Sequence, residues 1–142
     1  MDKIAIVYWS GTGNTEEMCK YVQEGAKSAG AEVDVFTADA FNASMVSQYT
    51  KIAFGCPSMG DEVLEEDIFE PMFTSVEKSL SGKPIGIFGS YGWGDGEWMR
   101  IWEQRCKDVG AVLVSEGVMA NEAPNKNEAE DCRKLGTCLA KH

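Results

Sequence analysis

The sequence predicts an α/β fold, a parallel sheet with helices packed on both faces. Two observations carry that reading. Short apolar runs alternate with segments of helical periodicity along all 142 residues, a pattern that reads as five strand–helix repeats. The runs themselves, such as residues 4–9, are continuous rather than alternating with polar residues; strands buried on both faces have this character. Successive parallel strands then require right-handed crossovers that cover both faces with helices.

In chain order, residues 4–9 form the first strand. Residues 15–29 place Met18, Val22, Gly25, Ala26 and Ala29 at helical spacing, and Gly30 ends that helix. Asn14 and Glu17 have the spacing of a capping box at its start. Residues 33–36 are a second strand, and 52–56 a third, halted by Pro57. A helix is expected over 68–80, a fourth strand over 85–89, a helix over 97–109, a fifth strand over 112–114 and a closing helix over 128–139. Trp98 and Trp102, four apart in the third helix, read as packing residues. No Pro/Ser-rich linker or internal repeat interrupts the pattern, so residues 1–142 read as one domain.

Thirteen Lys and Arg face 23 Asp and Glu, a formal charge of −10. That balance argues against nucleic acid and against an anionic membrane surface as partners. Five cysteines, at 19, 56, 106, 132 and 138, include no CxxC pair. A disulfide scaffold or zinc ribbon is therefore disfavoured, and reduced thiols in a cytoplasmic protein are expected. Met1-Asp2-Lys3 leads directly into the first strand without a signal-peptide pattern, and the apolar run that follows is too short to span a membrane. His142, the only histidine, ends the chain. No nucleophile–base pair is visible, and Cys56 has no neighbouring cation in sequence to activate it.

Ligands of such sheets bind at the carboxyl ends of the strands. After the first strand comes Ser10-Gly11-Thr12-Gly13-Asn14-Thr15. Its hydroxyls, its amide and the unpaired N–H groups of a helix start form an anion nest without Lys or Arg. It lacks the Gly-Lys-Ser/Thr of a P-loop, and Glu16 stands where a dinucleotide fingerprint needs its third glycine. A terminal monophosphate fits better than a pyrophosphate. After the third strand comes Pro57-Ser58-Met59-Gly60-Asp61-Glu62, and after the fourth Ser90-Tyr91-Gly92-Trp93-Gly94. Met59 and Trp93 are large apolar residues in loop tips, suited to walling a flat ligand; a core position for Trp93 is the alternative.

These three motifs, with Tyr8 and Trp9 ahead of the first, resemble a short-chain flavodoxin of the subgroup that flanks its flavin with Met and Trp. The resemblance spans the whole chain. It implies a flavodoxin-like three-layer sandwich with strand order 2-1-3-4-5, FMN at the switch point between strands 1 and 3, and no room for the segment that long-chain members insert in strand 5. It further implies that Ser10, Gly11, Thr12, Gly13, Asn14 and Thr15 hold the phosphate. Ser58, Met59, Gly60, Asp61 and Glu62 with Ser90, Tyr91, Gly92, Trp93 and Gly94 would surround the ring. Met59 and Trp93 would sandwich it, Glu62 would accept from N3–H, and the Gly60–Asp61 peptide would turn its carbonyl towards N5–H on one-electron reduction. The resemblance also brings residues 120–124 towards the flavin.

The implied function is a low-potential one-electron carrier, a monomer cycling mainly between semiquinone and hydroquinone and passing electrons between redox proteins with basic docking faces. A small FMN-dependent quinone or nitro reductase on the same fold is the alternative. A phospho-accepting receiver domain lacks its acidic pair, because Trp9 and Ser10 stand there. Residues 61–70 hold six acids: Asp61, Glu62, Glu65, Glu66, Asp67 and Glu70. If each acted at roughly 10 Å through water-like dielectric, they would together make the fully reduced flavin harder to form by about 100 mV.

Overall fold

The computed structural model describes residues 2–142. The strands are β1 (Lys3–Tyr8), β2 (Glu32–Thr37), β3 (Lys51–Gly55), β4 (Pro84–Tyr91), β5 (Val112–Leu113) and β6 (Val118–Asn121). The helices are α1 (Asn14–Ser28), α2 (Phe69–Val76), α3 (Glu97–Asp108) and α4 (Lys126–Lys141). All strand pairs are parallel, in the order β2-β1-β3-β4-β5, with β6 also on β4.

Alternate residues of the buried strands face two separate cores, which is why the runs are apolar without alternation. Ala5, Val7, Ile52, Phe54, Ile85 and Ile87 pack against Phe69, Phe73, Trp98 and Trp102 of α2 and α3. Ile4, Ile6, Ala53 and Phe88 pack against Met18 and Val22 of α1 and Cys132, Leu135 and Leu139 of α4. Trp98 and Trp102 are both core residues, as their spacing predicts. The Trp98 indole N–H donates to the Cys56 carbonyl at 3.3 Å, whereas the buried Trp102 Nε1 has no hydrogen-bond partner.

Four departures from the sequence reading have local causes. The fifth strand is split. β5 pairs with Pro84 and Ile85, and β6 with Phe88 to Tyr91 further along β4. Between them Gly117 N–H donates to the Glu103 carboxylate at 2.7 Å, drawing the chain out of the ladder. The crossover from β2 to β3 contains no α-helix. Two 3₁₀ turns, Ala38–Ala40 and Ala43–Gln48, make it, with Phe41, Val46 and Tyr49 buried beneath. The second helix is shorter than expected, ending in a 3₁₀ turn at Glu77–Ser79.

The predicted Asn14/Glu17 capping box does not form. Gly13 is the N-cap of α1, without a side-chain cap, and Glu17 accepts from the Tyr21 hydroxyl instead. A capping box does form at α4, between Asn125 and Glu128. Gly30, at φ +95°, follows the end of α1 as expected.

Candidate functional site

The loops after β1, β3, β4 and β6 meet at the carboxyl edge of the sheet, where β1 and β3 lie side by side. Backbone bonds join them. Trp9 N–H donates to the Gly55 carbonyl, and Ser58 N–H to the Ser90 carbonyl, both at 3.0 Å. Between the loops lies a cavity of about 230 Å³. Ser10, Gly11, Thr12, Asn14 and Thr15 line one side, Ser58 and Met59 a second, and Ser90, Tyr91 and Gly92 a third.

Sequence reasoning left three further lining residues unassigned: Trp9, Pro57 and Glu122. Pro57 opens the second quoted motif, and Trp9 stands directly ahead of the first. Glu122 lies in the 120–124 stretch, and nothing local marks it. It takes a left-handed φ of +59°, and Ser90 and Tyr91 grip both of its backbone groups.

The phosphate-type loop has a definite wiring. The Ser10 hydroxyl oxygen accepts from Gly13 N–H at 3.1 Å and Glu16 N–H at 3.3 Å, closing the loop on itself. Its own proton is left to donate into the cavity. Thr15, buried, accepts from Ser90 N–H at 3.3 Å, which ties the loop to the end of β4. Burial first, and then the nearby Glu16, push the Tyr8 phenol above its usual value. No Lys or Arg lines the cavity, so its donors are neutral.

Gly13, Gly60, Asp61, Glu62, Trp93 and Gly94 lie outside that lining. Met59 and Val63 exchange backbone hydrogen bonds at 2.8 and 3.0 Å, closing a hairpin over residues 60–62. Gly60 has φ +48°, and a Cβ there would meet nothing within 4 Å. Glu62, also left-handed at φ +57°, sends its Oε1 to Glu97 N–H at 3.2 Å, at the start of α3. The same carboxylate lies against Gly94, where a Cβ would come within 2.4 Å of it. Met59 is 37% exposed and Trp93 is 63% exposed, so neither is used by the core.

The acidic run is less uniform than its sequence. Glu65 is buried, and its carboxylate accepts from Asp67, Ile68 and Phe69 N–H at 2.9, 2.8 and 2.7 Å. Burial raises its pKa, but these three bonds outweigh it and hold the carboxyl below its usual value. Glu70 pairs with Arg105 of α3 through two bonds, at 2.8 and 2.7 Å. Burial again opposes, and the bonds from Arg105 and Thr74 prevail to lower its pKa. Of the other four acids, Asp61, Glu66 and Asp67 are exposed, and the half-buried Glu62 has the single bond from Glu97 N–H.

All five cysteines are unpaired, and only Cys138 is exposed. Burial pushes Cys19, Cys106 and Cys132 up to about 12, and raises Cys56 as well, so these stay protonated thiols. Among the described residues no cluster of His, Cys, Asp and Glu could hold a metal ion, and no helix is long and apolar enough to cross a membrane.

FMN fits this arrangement. Neutral hydroxyl and N–H donors suit a terminal phosphate at a helix start. The cavity is smaller than the about 300–1,000 Å³ of ordinary ligand pockets, so it suits the polar tail of such a ligand.

The family model described as Flavodoxin matches residues 6–136. A flavodoxin of Megasphaera elsdenii is 45% identical over 138 residues, covering 97% of this chain and 98% of that one. A flavodoxin of Clostridium beijerinckii is 41% identical over 135 residues, covering 95% and 97%. The solution structure of the two-electron reduced M. elsdenii flavodoxin superposes with a TM-score of 0.91 over 98% of this chain and 99% of that one, at 45% identity. The oxidised flavodoxin 1 of Bacillus cereus follows with a TM-score of 0.86 at 28% identity, covering 99% and 98%. Matched from end to end by protein and structure alike, the chain belongs to the flavodoxin family, the FMN-binding proteins that transfer electrons rather than catalyse a reaction of their own.

Proposed function

We propose that this chain, residues 1–142 acting as one unit, is a low-potential one-electron carrier that works mainly between the half-reduced and fully reduced states of its FMN. The observation that carries the reading is the pairing of a cation-free donor nest with an apolar rim at one edge of the sheet. When bound, FMN supplies two successive one-electron steps.

The chain's own residues bind and tune. Ser10, Thr12, Asn14 and Thr15 donate to the phosphate, with Gly11 and Gly13 letting the backbone approach. Ser58, Ser90, Tyr91 and Gly92 flank the tail. Met59 and Trp93, the latter between Gly92 and Gly94, cover the ring faces and exclude water. Glu62 Oε1 is engaged by Glu97 N–H, leaving Oε2 to accept from ring N3–H. The Gly60 carbonyl, in the peptide joined to Asp61, would be placed to accept a hydrogen bond from ring N5–H.

Asp61, Glu62, Glu66 and Asp67 disfavour a further negative charge on the flavin and attract redox partners with basic docking faces. Buried unpaired thiols suit a reducing compartment, and we place the carrier in the cytoplasm as a monomer.

Stepwise reduction of the purified protein, followed in visible light, tests the proposal. A yellow protein that turns blue at half-reduction and stays oxidised with NADPH alone supports it. A colourless protein that takes up no FMN, or one that oxidises NADPH unaided, overturns it.

A further inference from the structure

The hairpin that carries Gly60, Asp61 and Glu62 leaves the sheet and returns between two fixed points. At its near end Ser58 N–H is bonded to the Ser90 carbonyl. At its far end, two residues beyond the closing Met59–Val63 pair, stands Glu65, 6% exposed. Glu65 reaches in two directions. Its backbone N–H donates to Cys56 Sγ at 3.3 Å, at the foot of the same loop. Its carboxylate takes three N–H groups at the start of α2, the last from Phe69, which is fully buried in the core. A carboxylate with three charge-assisted bonds is much harder to displace than a neutral cap. Within the hairpin the one side-chain tether is Glu62 Oε1, which accepts a single bond from Glu97 N–H at 3.2 Å, and a Cβ at the exposed Gly60 would meet nothing within 4 Å.

We infer that Glu65 is a positioning residue for the flavin: by fastening the return of the hairpin to α2 and to Cys56, it sets where the Gly60–Asp61 peptide stands. This rests on the FMN-carrier reading above. Glu65 touches no cavity-lining atom of its own and acts only through the backbone between Cys56 and Phe69. The helix start it caps supplies no ligand site, since its N–H groups are consumed by Glu65 itself.

The test compares Glu65→Gln, Glu65→Ala and the control Leu139→Ala, which opens a cavity under α4 without touching the loop. Amide exchange of the purified chain reads the Met59 and Val63 N–H groups, and FMN release on dilution gives Kd. In Glu65→Gln both amides should exchange faster, and Kd should rise about tenfold, equivalent to about 1.4 kcal/mol. Leu139→Ala should leave Kd within about twofold at a comparable loss of stability. Glu65→Ala should exceed Glu65→Gln; if it does not fold, Glu65→Gln alone decides, since its remaining oxygen keeps part of the cap. Unchanged amides and Kd in Glu65→Gln, or an equal rise in Leu139→Ala, overturn the inference. Should the unsubstituted chain bind no FMN, the carrier reading falls by itself, and the Met59 and Val63 amides still decide whether Glu65 holds the hairpin.

Discussion

The Ser90 hydroxyl donates to the Glu122 carbonyl at 2.7 Å, while Glu122 N–H donates to the Tyr91 carbonyl at 2.8 Å. Two neighbouring residues of β4 thus hold both polar backbone groups of one non-glycine residue at φ +59°. Such a conformation persists only where its surroundings over-determine it. Ser90→Ala removes one of the two grips and strands a carbonyl. It should cost about 1–3 kcal/mol of stability and loosen the cavity wall that Glu122 forms. Urea unfolding read beside FMN affinity checks this; a variant that loses stability but keeps full affinity would show that Glu122 does not shape the site.

Gly60→Val isolates backbone conformation from packing. A Cβ at Gly60 meets no atom of the chain within 4 Å, so the substitution acts first by penalising φ +48°. The penalty is about 1–3 kcal/mol for whichever setting of the peptide needs positive φ. The yield of half-reduced flavin at the midpoint of a reductive titration should fall, and an unchanged yield would discard the peptide turn.

The electrostatic effect of the acidic run should be smaller than its six carboxylates suggest. Arg105 supplies one positive charge beside the run, shared between Glu70 and Glu77, and Glu65 is buried with its carboxylate on three N–H groups. Converting Asp61, Glu62, Glu66 and Asp67 to amides should raise the potential of the lower one-electron couple by at least about 70 mV before salt screening, taking Asp61, Glu66 and Asp67 at roughly 10 Å in water-like dielectric and Glu62, which would sit against the ring, at no more than that. Adding Glu70→Gln to that set should raise it by a further step of similar size at similar distance, because the Arg105 cation that Glu70 offsets stays in place. Potentiometry at two ionic strengths tests both statements, and an unmoved potential in the fourfold variant sinks them.

The two core tryptophans make a matched pair for measuring a buried N–H. Trp98 Nε1 is bonded to the Cys56 carbonyl, whereas Trp102 Nε1 is unsatisfied. Trp→Phe removes similar apolar area at both positions. Trp98→Phe also strands a carbonyl, while Trp102→Phe removes a donor that has no partner. Trp98→Phe should therefore be more destabilising by about 1–3 kcal/mol, and equal losses in urea would show that the Trp102 N–H is satisfied in solution.

Acid should weaken the fold through Glu65 and Glu70. Both have carboxyl groups held below their usual values, so each contributes stability that is fully present above the ordinary carboxylate range and lost as pH falls through and below it. The double variant Glu65→Gln, Glu70→Gln should be less stable near pH 7 yet lose less between about pH 7 and about pH 4 than the unsubstituted chain. Parallel urea curves for the two proteins at both pH values would refute the assignment.

What could be read without coordinates was whatever short-range pattern controls. Doubly buried strands announce themselves as apolar runs, and the three loops announce themselves by small polar residues beside an isolated Met59 or Trp93. The rest depended on partners distant in sequence. Asn14 and Glu17 had capping spacing, but Ser10 ties the loop at Gly13 and Glu16, and Tyr21 claims Glu17. Glu70 looked free until Arg105, 35 positions away, paired with it. Glu122 joined the cavity because Ser90 and Tyr91 hold it, a contact that no periodicity encodes.

The break between β5 and β6 bears on how the molecule behaves when crowded. An uninterrupted outer strand would offer neighbouring copies a row of unpaired N–H and C=O groups along which to add. Here two residues and then four present that row, with the chain bent at Val114, Ser115 and Glu116 between them. The opposite margin, β2, presents Glu32 and Asp34. The β5–β6 border therefore gives a second copy little continuous row to add to, and the like charges of Glu32 and Asp34 oppose the pairing of two copies along β2.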